Sequence, residues 1–175
     1  MACSQTLSGI AKDCASNIGG ILEVYLANAS DVSATTVTSN KVTAITMASS
    51  AKFKKYTFRP NTGSMSSNYQ VNAENGTKFV QTDLVMVFNR METTKRVEIT
   101  AMAQGELVAL VRDNNGLLWY LGLTNPLELS AGDGLSGTAR ADRNGYSVTL
   151  QDISPEMPTE VLEGTGGVDI SAIVA

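Results

Sequence analysis

A chain of 175 residues with 43% hydrophobic side chains is long enough to bury a core of its own and too apolar to be disordered throughout. Its formal charge of −4, from 13 basic and 17 acidic groups, excludes the basic overall footprint of a nucleic-acid-binding domain. It has no histidine, and so lacks the side chain most used for proton transfer and metal binding near neutral pH. Charged residues make up only 17%, against a usual share of about 25%. Such a surface suits a protein largely covered by copies of itself, and equally an ordinary uncharged β domain. No stretch reaches the about 18 apolar residues of a membrane span. Met1-Ala2-Cys3-Ser4-Gln5 lacks the charged and apolar regions of a secretory leader. The expectation is a product made in the cytoplasm, with no membrane anchor, in which Cys3 and Cys14 are reduced thiols and a disulfide between them is the alternative.

A polar lead-in over 1–19 ends at Gly19-Gly20. Residues 21–27 alternate, with Leu22, Val24 and Leu26 on one face and Glu23 and Tyr25 on the other, which predicts a half-buried strand. Residues 28–40, full of Ser, Thr, Asn and Ala, read as a loop, and 42–47 as a short strand. The stretch 52–59 interleaves Lys52, Lys54, Lys55 and Arg59 with Phe53, Tyr56 and Phe58 and has strand propensity. Pro60-Asn61-Thr62-Gly63 turns the chain into a flat polar strand at 64–71. Asn75-Gly76 turns it again into a strand at 77–88 with Val80, Leu84, Met86 and Phe88 on one face. Residues 52–88 thus read as one long hairpin system. Asn-Gly pairs recur at Asn115-Gly116 and Asn144-Gly145; the pair tolerates the positive φ that tight hairpin turns require.

Residues 90–104 carry two patterns at once. Val97, Ile99 and Ala101 alternate like a strand, while Met91, Thr94, Val97 and Ala101 follow helical spacing. Glu92, Lys95, Arg96, Glu98 and Gln104 favour helix, and no Gly or Pro interrupts them. The prediction is a helix over about 92–103, capped by Asn89 and stopped by Gly105. Residues 107–112 and 117–123 form the clearest hairpin, apolar on both faces, one face meeting the helix and the other an opposing sheet. A short strand follows at 127–130. Gly132, Gly134 and Gly137 read as a loop, and 138–141 with 146–151 as a last hairpin around Asn144-Gly145, where Tyr146, Val148 and Leu150 alternate with Ser147, Thr149 and Gln151. Beyond residue 152, Pro155 and Pro158 forbid a regular central strand. The Gly164, Gly166 and Gly167 joint leads to an apolar tip at 168–174, an arm expected to add to a neighbour's sheet and to be dispensable for the fold, with a tail folding back on its own domain as the alternative.

Little here points to reaction chemistry. Asp31, Asp83, Asp113 and Asp142 are the carboxylates near turns, and Asp113 and Asp142 precede Asn-Gly corners, where Asp bonds backbone. A serine nucleophile would lack a histidine base. Gly-Leu-Ser-Gly at 134–137 is not a nucleophile elbow, and Gly132–Gly137 lacks the Lys-Ser or Lys-Thr of a phosphate loop. Two thiols fall short of a structural zinc site. The basic and aromatic residues of 52–59 fall on both faces of a strand, so no single stacking platform for nucleic acid forms. No catalytic, cofactor-binding or metal-binding residue is assigned, and no enzyme is expected.

The ordered set Cys3, Cys14, Gly19-Gly20-Ile21, Val24-Tyr25-Leu26-Ala27, Phe88-Asn89-Arg90-Met91, Lys95-Arg96-Val97-Glu98, Leu110-Val111-Arg112-Asp113-Asn114-Asn115-Gly116, Trp119-Tyr120-Leu121-Gly122 and Asp142-Arg143-Asn144-Gly145-Tyr146-Ser147-Val148-Thr149-Leu150 resembles the tail tube (major tail) proteins of tailed bacteriophages, particularly those of phages infecting Bacteroidetes. The resemblance covers about residues 3–152, leaving 153–175 as a C-terminal arm. It implies a β-sandwich or β-barrel of hairpins flanked by one helix, and hexameric rings that stack into a hollow virion tail tube in the host cytoplasm. It also implies contacts with other tail proteins, DNA passing through the lumen without sequence-specific binding, and no catalytic residues or cofactors. A channel wall for DNA should be polar or acidic, because Lys and Arg hold phosphate by counterion release. The hairpins within 42–88 are the expected wall; the lead-in, the 52–76 hairpin and the C-terminal arm are the expected contacts between rings. The alternatives are a tail terminator or head-completion protein on a related fold, and a bacterial β-sandwich binding module such as an adhesin domain, which would want an exposed aromatic platform.

Overall fold

The computed structural model describes residues 7–175. The strands are β1 (Ile21–Asn28), β2 (Val32–Thr38), β3 (Lys41–Met47), β4 (Lys54–Tyr56), β5 (Gly63–Asn72), β6 (Thr77–Asn89), β7 (Leu107–Asp113), β8 (Leu118–Leu121), β9 (Glu128–Leu135), β10 (Gly145–Ser154) and β11 (Thr159–Val161). One full helix, α1 (Thr93–Gln104), and a single turn, α2 (Ile170–Ile173), accompany them. The strands form a seven-stranded sheet in the order β2-β3-β11-β8-β7-β1-β4 and a four-stranded sheet in the order β5-β6-β10-β9. The fold is mainly β, two sheets with one flanking helix, as expected.

Two apolar clusters sit on opposite faces of the seven-stranded sheet. Val24, Leu26, Ala109 and Val111 face the four-stranded sheet, meeting Leu84, Met86, Val148 and Leu150, with Met102 of α1 closing one side. Tyr25, Ala27, Val108 and Leu110 face the other way, meeting Phe53, Val161, Val168 and Ile173. β1 is therefore buried on both faces rather than half-buried. A register irregularity between Ile21 and Glu23 leaves Leu22 53% exposed, off the face that strict alternation assigned to it. A bulge of this kind adds one residue to one strand and resets the facing of what precedes it. The β7–β8 hairpin also differs from expectation. One of its faces meets the helix and the opposing sheet together; the other is covered by the chain's own C-terminal segment.

That segment is the largest correction. β11 pairs with β8 and, in parallel, with β3. After the glycine joint the chain returns to the sheet: Phe53 N donates to Ile173 O at 2.8 Å and Ala175 N donates to Phe53 O at 3.0 Å. Arg112 forks onto Glu163 at 2.8 and 2.6 Å. A Cβ at Gly167 would lie 2.1 Å from Leu162 O, so only glycine lets the chain pass there. The arm docks on its own domain because Tyr120, Leu110 and Phe53 form an apolar surface that must be covered.

Other boundaries moved for local reasons. Residues 32–38 form strand β2, not loop; their Ser, Thr and Val side chains suit a pleated surface but lie on a mostly exposed edge, so no apolar alternation marks them. Residues 52–59 contribute only β4 and the Phe53 bridge, in the seven-stranded sheet, whereas 63–89 belong to the other sheet. β9 runs through Gly132 and Gly134, with the Tyr146 ring lying over Gly134, where a Cβ would come within 3.0 Å of it. Residues 138–144 are irregular, so Asn144-Gly145 is no hairpin corner. Gly145 already opens β10, and Asn144 instead accepts from Arg90 N (2.7 Å) and Met91 N (3.0 Å). That contact, not a cap from Asn89, sets the start of α1. Glu92 occupies the cap position without a side-chain cap bond, and Gly105 follows the last turn.

Truncation after Glu163 removes the buried Val168 and Ile173 and uncovers Phe53. At about 1.5–3 kcal/mol per fully buried aliphatic side chain, it should cost about 3–6 kcal/mol of stability, read as a lowered urea midpoint. An unchanged midpoint would contradict the docking described.

Candidate assembly surface

Directly opposed residues in an antiparallel ladder share a face, so the registers define what each side of the four-stranded sheet presents. One side is core: Met65, Leu84, Leu150 and Leu129 form a row, and Thr82 and Asp152 lie opposed beside it. The other side faces away. Its rows read Ser66, Asp83, Gln151, Glu128; then Ser64, Val85, Thr149, Ala131; then Val87, Ser147, Asp133. Gln151 Nε2 donates to Asp83 Oδ1 at 2.8 Å, and Gln81 Nε2 donates to Asp83 Oδ2 at 3.2 Å. None of these paired positions holds a lysine or arginine. A guanidinium reaches the face from the 138–144 loop: Arg143 Nη2 donates to Asp133 Oδ1 at 2.9 Å. The result is a face of hydroxyls, amides and carboxylates interspersed with Val85, Val87 and Ala131, with Asn68 and Gln81 opposite the exposed Ile153 in the next row.

The sheet ends in two unpaired edges, β5 and β9. All three of its pairings are antiparallel, so β5 and β9 run in opposite directions. β5 and β6 also reach past the body. Residues 68–78 are exposed, with Tyr69 59% and Val71 63% accessible, and the tip turns at Asn75-Gly76, where Asn72 Oδ1 accepts from Glu74 N and Asn75 N. Long open edges invite pairing with another chain. The expected wall at 42–88 is thus divided: 63–88 lies on this face, while 42–47 and 54–56 belong to the other sheet. β10 and β9 complete the four-stranded sheet. The alternation of Ser147, Thr149 and Gln151 in the sequence already marked one of those strands as two-faced.

The remaining candidates separate in space. Phe53 is fully buried, Tyr56 and Phe58 pack against the core, and Tyr56 bonds Glu98, so the 52–59 aromatics offer no stacking surface. Lys55 Nζ donates to Glu23 Oε1 at 2.6 Å, and this bond holds the Glu23 carboxyl below its ordinary value. Trp119 packs on the core and donates Nε1–H to Asp113 Oδ2 at 3.3 Å. Asp113 also accepts from Asn115 N and Leu117 N, and Asp142 accepts from Ala139 N and Thr138 N; both organise turns. Asp31 accepts from Asn28 in the turn between β1 and β2. Cys14 is exposed; its suggested partner Cys3 lies outside the described residues. Among the described residues no three His, Cys, Asp or Glu groups gather as metal ligands, and no helix is long and apolar enough to cross a membrane. An open groove of about 500 Å³ is lined by Glu106, Asn125, Glu128, Gln151 and Ile153.

Asp152 is the buried carboxylate beneath this surface, 5% exposed. It accepts from Gly122 N at 3.2 Å and Ser154 Oγ at 2.5 Å, tying the β8–β9 connection to β10. Burial raises its pKa above the ordinary value.

No protein-family model, curated protein or solved structure matches the chain. What is established is the class: a mainly β, two-sheet protein with one principal helix and an open-edged polar sheet.

A raised folded-state pKa means that ionised Asp152 opposes folding at neutral pH and that this opposition disappears as pH falls through the folded pKa. Asp152→Asn, which can accept from Gly122 N and donate to Ser154 Oγ, should be at least as stable as the parent at pH 7. Any advantage should shrink toward pH 4, below which the parent carboxyl is neutral too. Urea midpoints across this range test it; an Asp152→Asn chain progressively worse at neutral pH than in acid, relative to the parent, would contradict it.

Proposed function

We propose that the chain is a self-assembling structural subunit of a virion tail tube, as its resemblance to bacteriophage tail tube proteins suggests, and that it works by shape. Copies stand side by side around a hole, β9 of each beside β5 of the next, with the polar face of the four-stranded sheet turned inward. Rings then stack, and DNA passes without sequence-specific binding. The observation that carries this reading is that face, whose paired positions among the described residues hold no lysine or arginine, bounded by two open edges of opposite direction. Each Lys or Arg that neutralises a phosphate adds affinity through counterion release, and a conduit must not hold its cargo. The guanidinium that reaches the face is already paired with Asp133.

The strand count supports the same geometry. With an even number of antiparallel strands, β9 of one copy meets β5 of the next antiparallel, so pairing continues around the ring without a change of ladder type. Six such sheets at about 4.8 Å per strand close a backbone circle of about 115 Å, about 37 Å across before strand tilt widens it. Side chains then reduce the bore, leaving room for a duplex. Trp119 is packed on the core and the 52–59 aromatics face inward, so an adhesin's aromatic platform has no counterpart in these residues.

Electron microscopy and sedimentation of the purified protein test the reading. Stacked rings or tubes are expected; rings that close but refuse to stack would favour a terminator instead. A strictly monomeric species at high concentration would overturn it.

A further inference from the structure

The three Asn-Gly pairs differ sharply in how the fold holds them, and the difference has a chemical consequence. In any Asn-Gly pair the glycine nitrogen can attack the asparagine Cγ, because no following Cβ obstructs the approach. The new C–N bond closes a five-membered succinimide as the bond to the side-chain nitrogen breaks. The glycine nitrogen loses its proton, and the amide leaves as ammonia. Water then opens the ring. Attack at the side-chain carbonyl gives aspartate; attack at the backbone carbonyl gives isoaspartate, with the chain rerouted through the side-chain carbon. Nothing is oxidised or reduced, and water is the only co-reactant. A fold suppresses the reaction when it ties the carboxamide or the glycine nitrogen.

At Asn115 both are tied. Its Oδ1 accepts from Ile18 N at 2.8 Å, its Nδ2 donates to Asn17 Oδ1 and Ile18 O at 3.1 Å each, and Gly116 N donates to Asp113 O at 3.1 Å. At Asn144, Oδ1 accepts from Met91 N at 3.0 Å and the backbone carbonyl accepts from Arg90 N at 2.7 Å, while Gly145 is locked in β10 against β6. Asn75 is different. It sits exposed at the tip of the β5–β6 hairpin, beyond the last paired residues Asn72 and Thr77. Its carboxamide has no hydrogen-bond partner among the described residues, and a Cβ placed on Gly76 would meet nothing within 4 Å.

We propose that Asn75 is a site of spontaneous modification, losing its side-chain amide to become aspartate or isoaspartate, while the fold protects Asn115 and Asn144 from the same reaction. The product carries one more negative charge, taking the chain from −4 to −5. That charge appears beside Glu74 at the exposed tip of the β5–β6 hairpin. The reaction needs no second copy of the chain, so it stands apart from the tube reading.

The test is to age the full chain in warm, mildly alkaline buffer, once folded and once in concentrated urea, and to map peptides by mass spectrometry with enzymatic methylation of isoaspartate. In urea all three pairs should convert at comparable rates. In the folded protein Asn75 should convert nearly as in urea, with Asn115 and Asn144 slowed by about tenfold or more, since they react only through local opening. Asn75→Gln should abolish the new acidic species on isoelectric focusing. The proposal is overturned if Asn75 stays intact in the folded protein over the time in which it converts in urea. It is also overturned if Asn115 or Asn144 converts as fast folded as unfolded.

Discussion

Burial of β1 and β7 on both faces governs the rest of the molecule. Val24, Leu26, Ala109 and Val111 on one side and Tyr25, Ala27, Val108 and Leu110 on the other are all at most 7% exposed. A strand pair with two apolar faces needs two covers. The four-stranded sheet and Met102 of α1 supply the first, and the C-terminal segment supplies the second. This is why a tail that looks like a free arm by composition lies down on its own domain, and why the single turn α2, too short to be stable alone, is ordered against Phe53.

The same constraint frees the outer face of the four-stranded sheet. That sheet spends one face on the shared core and needs no further cover. Its second face mixes hydroxyls, amides and carboxylates with Val85, Val87, Ala131 and Ile153, and Asp83 sits clasped by Gln81 and Gln151 rather than by a cation. Beyond the face the sheet offers edges, and natural β proteins usually shorten, charge or cover such edges. β5 is ten residues long and β9 eight, and neither carries a lysine or arginine. β9 does carry Glu128 and Asp133, yet unpaired edges of that length are what a subunit needs if its neighbours are copies of itself.

Much of this was legible in the amino-acid order, for identifiable reasons. Val80, Leu84 and Met86 gave β6 its period, and α1 followed from helix-favouring residues against a competing strand pattern. Pro155 and Pro158, expected to forbid a central strand, instead lie between β10 and β11, and β11 is paired on both sides. What escaped was set by tertiary contact. β2 is an edge whose side chains mostly face water, so its Thr-rich run carries no alternation. β9 hides two glycines that read as loop until Tyr146 is seen lying over Gly134. A bulge displaced Leu22 from the core face, and Asn144 tied the start of α1 where an Asn-Gly turn was expected. Of the candidate surface, β5, β6 and the alternation in β10 could be read from sequence. That β10 joins β6 and β9 into one wall could not, because strand pairing over some seventy residues leaves no local mark.

The most direct measurement is electron cryo-microscopy of the assembled protein at side-chain resolution. A subunit of this design should appear in a closed ring, β9 of one copy hydrogen-bonded antiparallel to β5 of the next, with Gln81, Asp83 and Gln151 facing the hole. A ring that buries those three residues between copies, or turns them to the outer surface, would contradict the account.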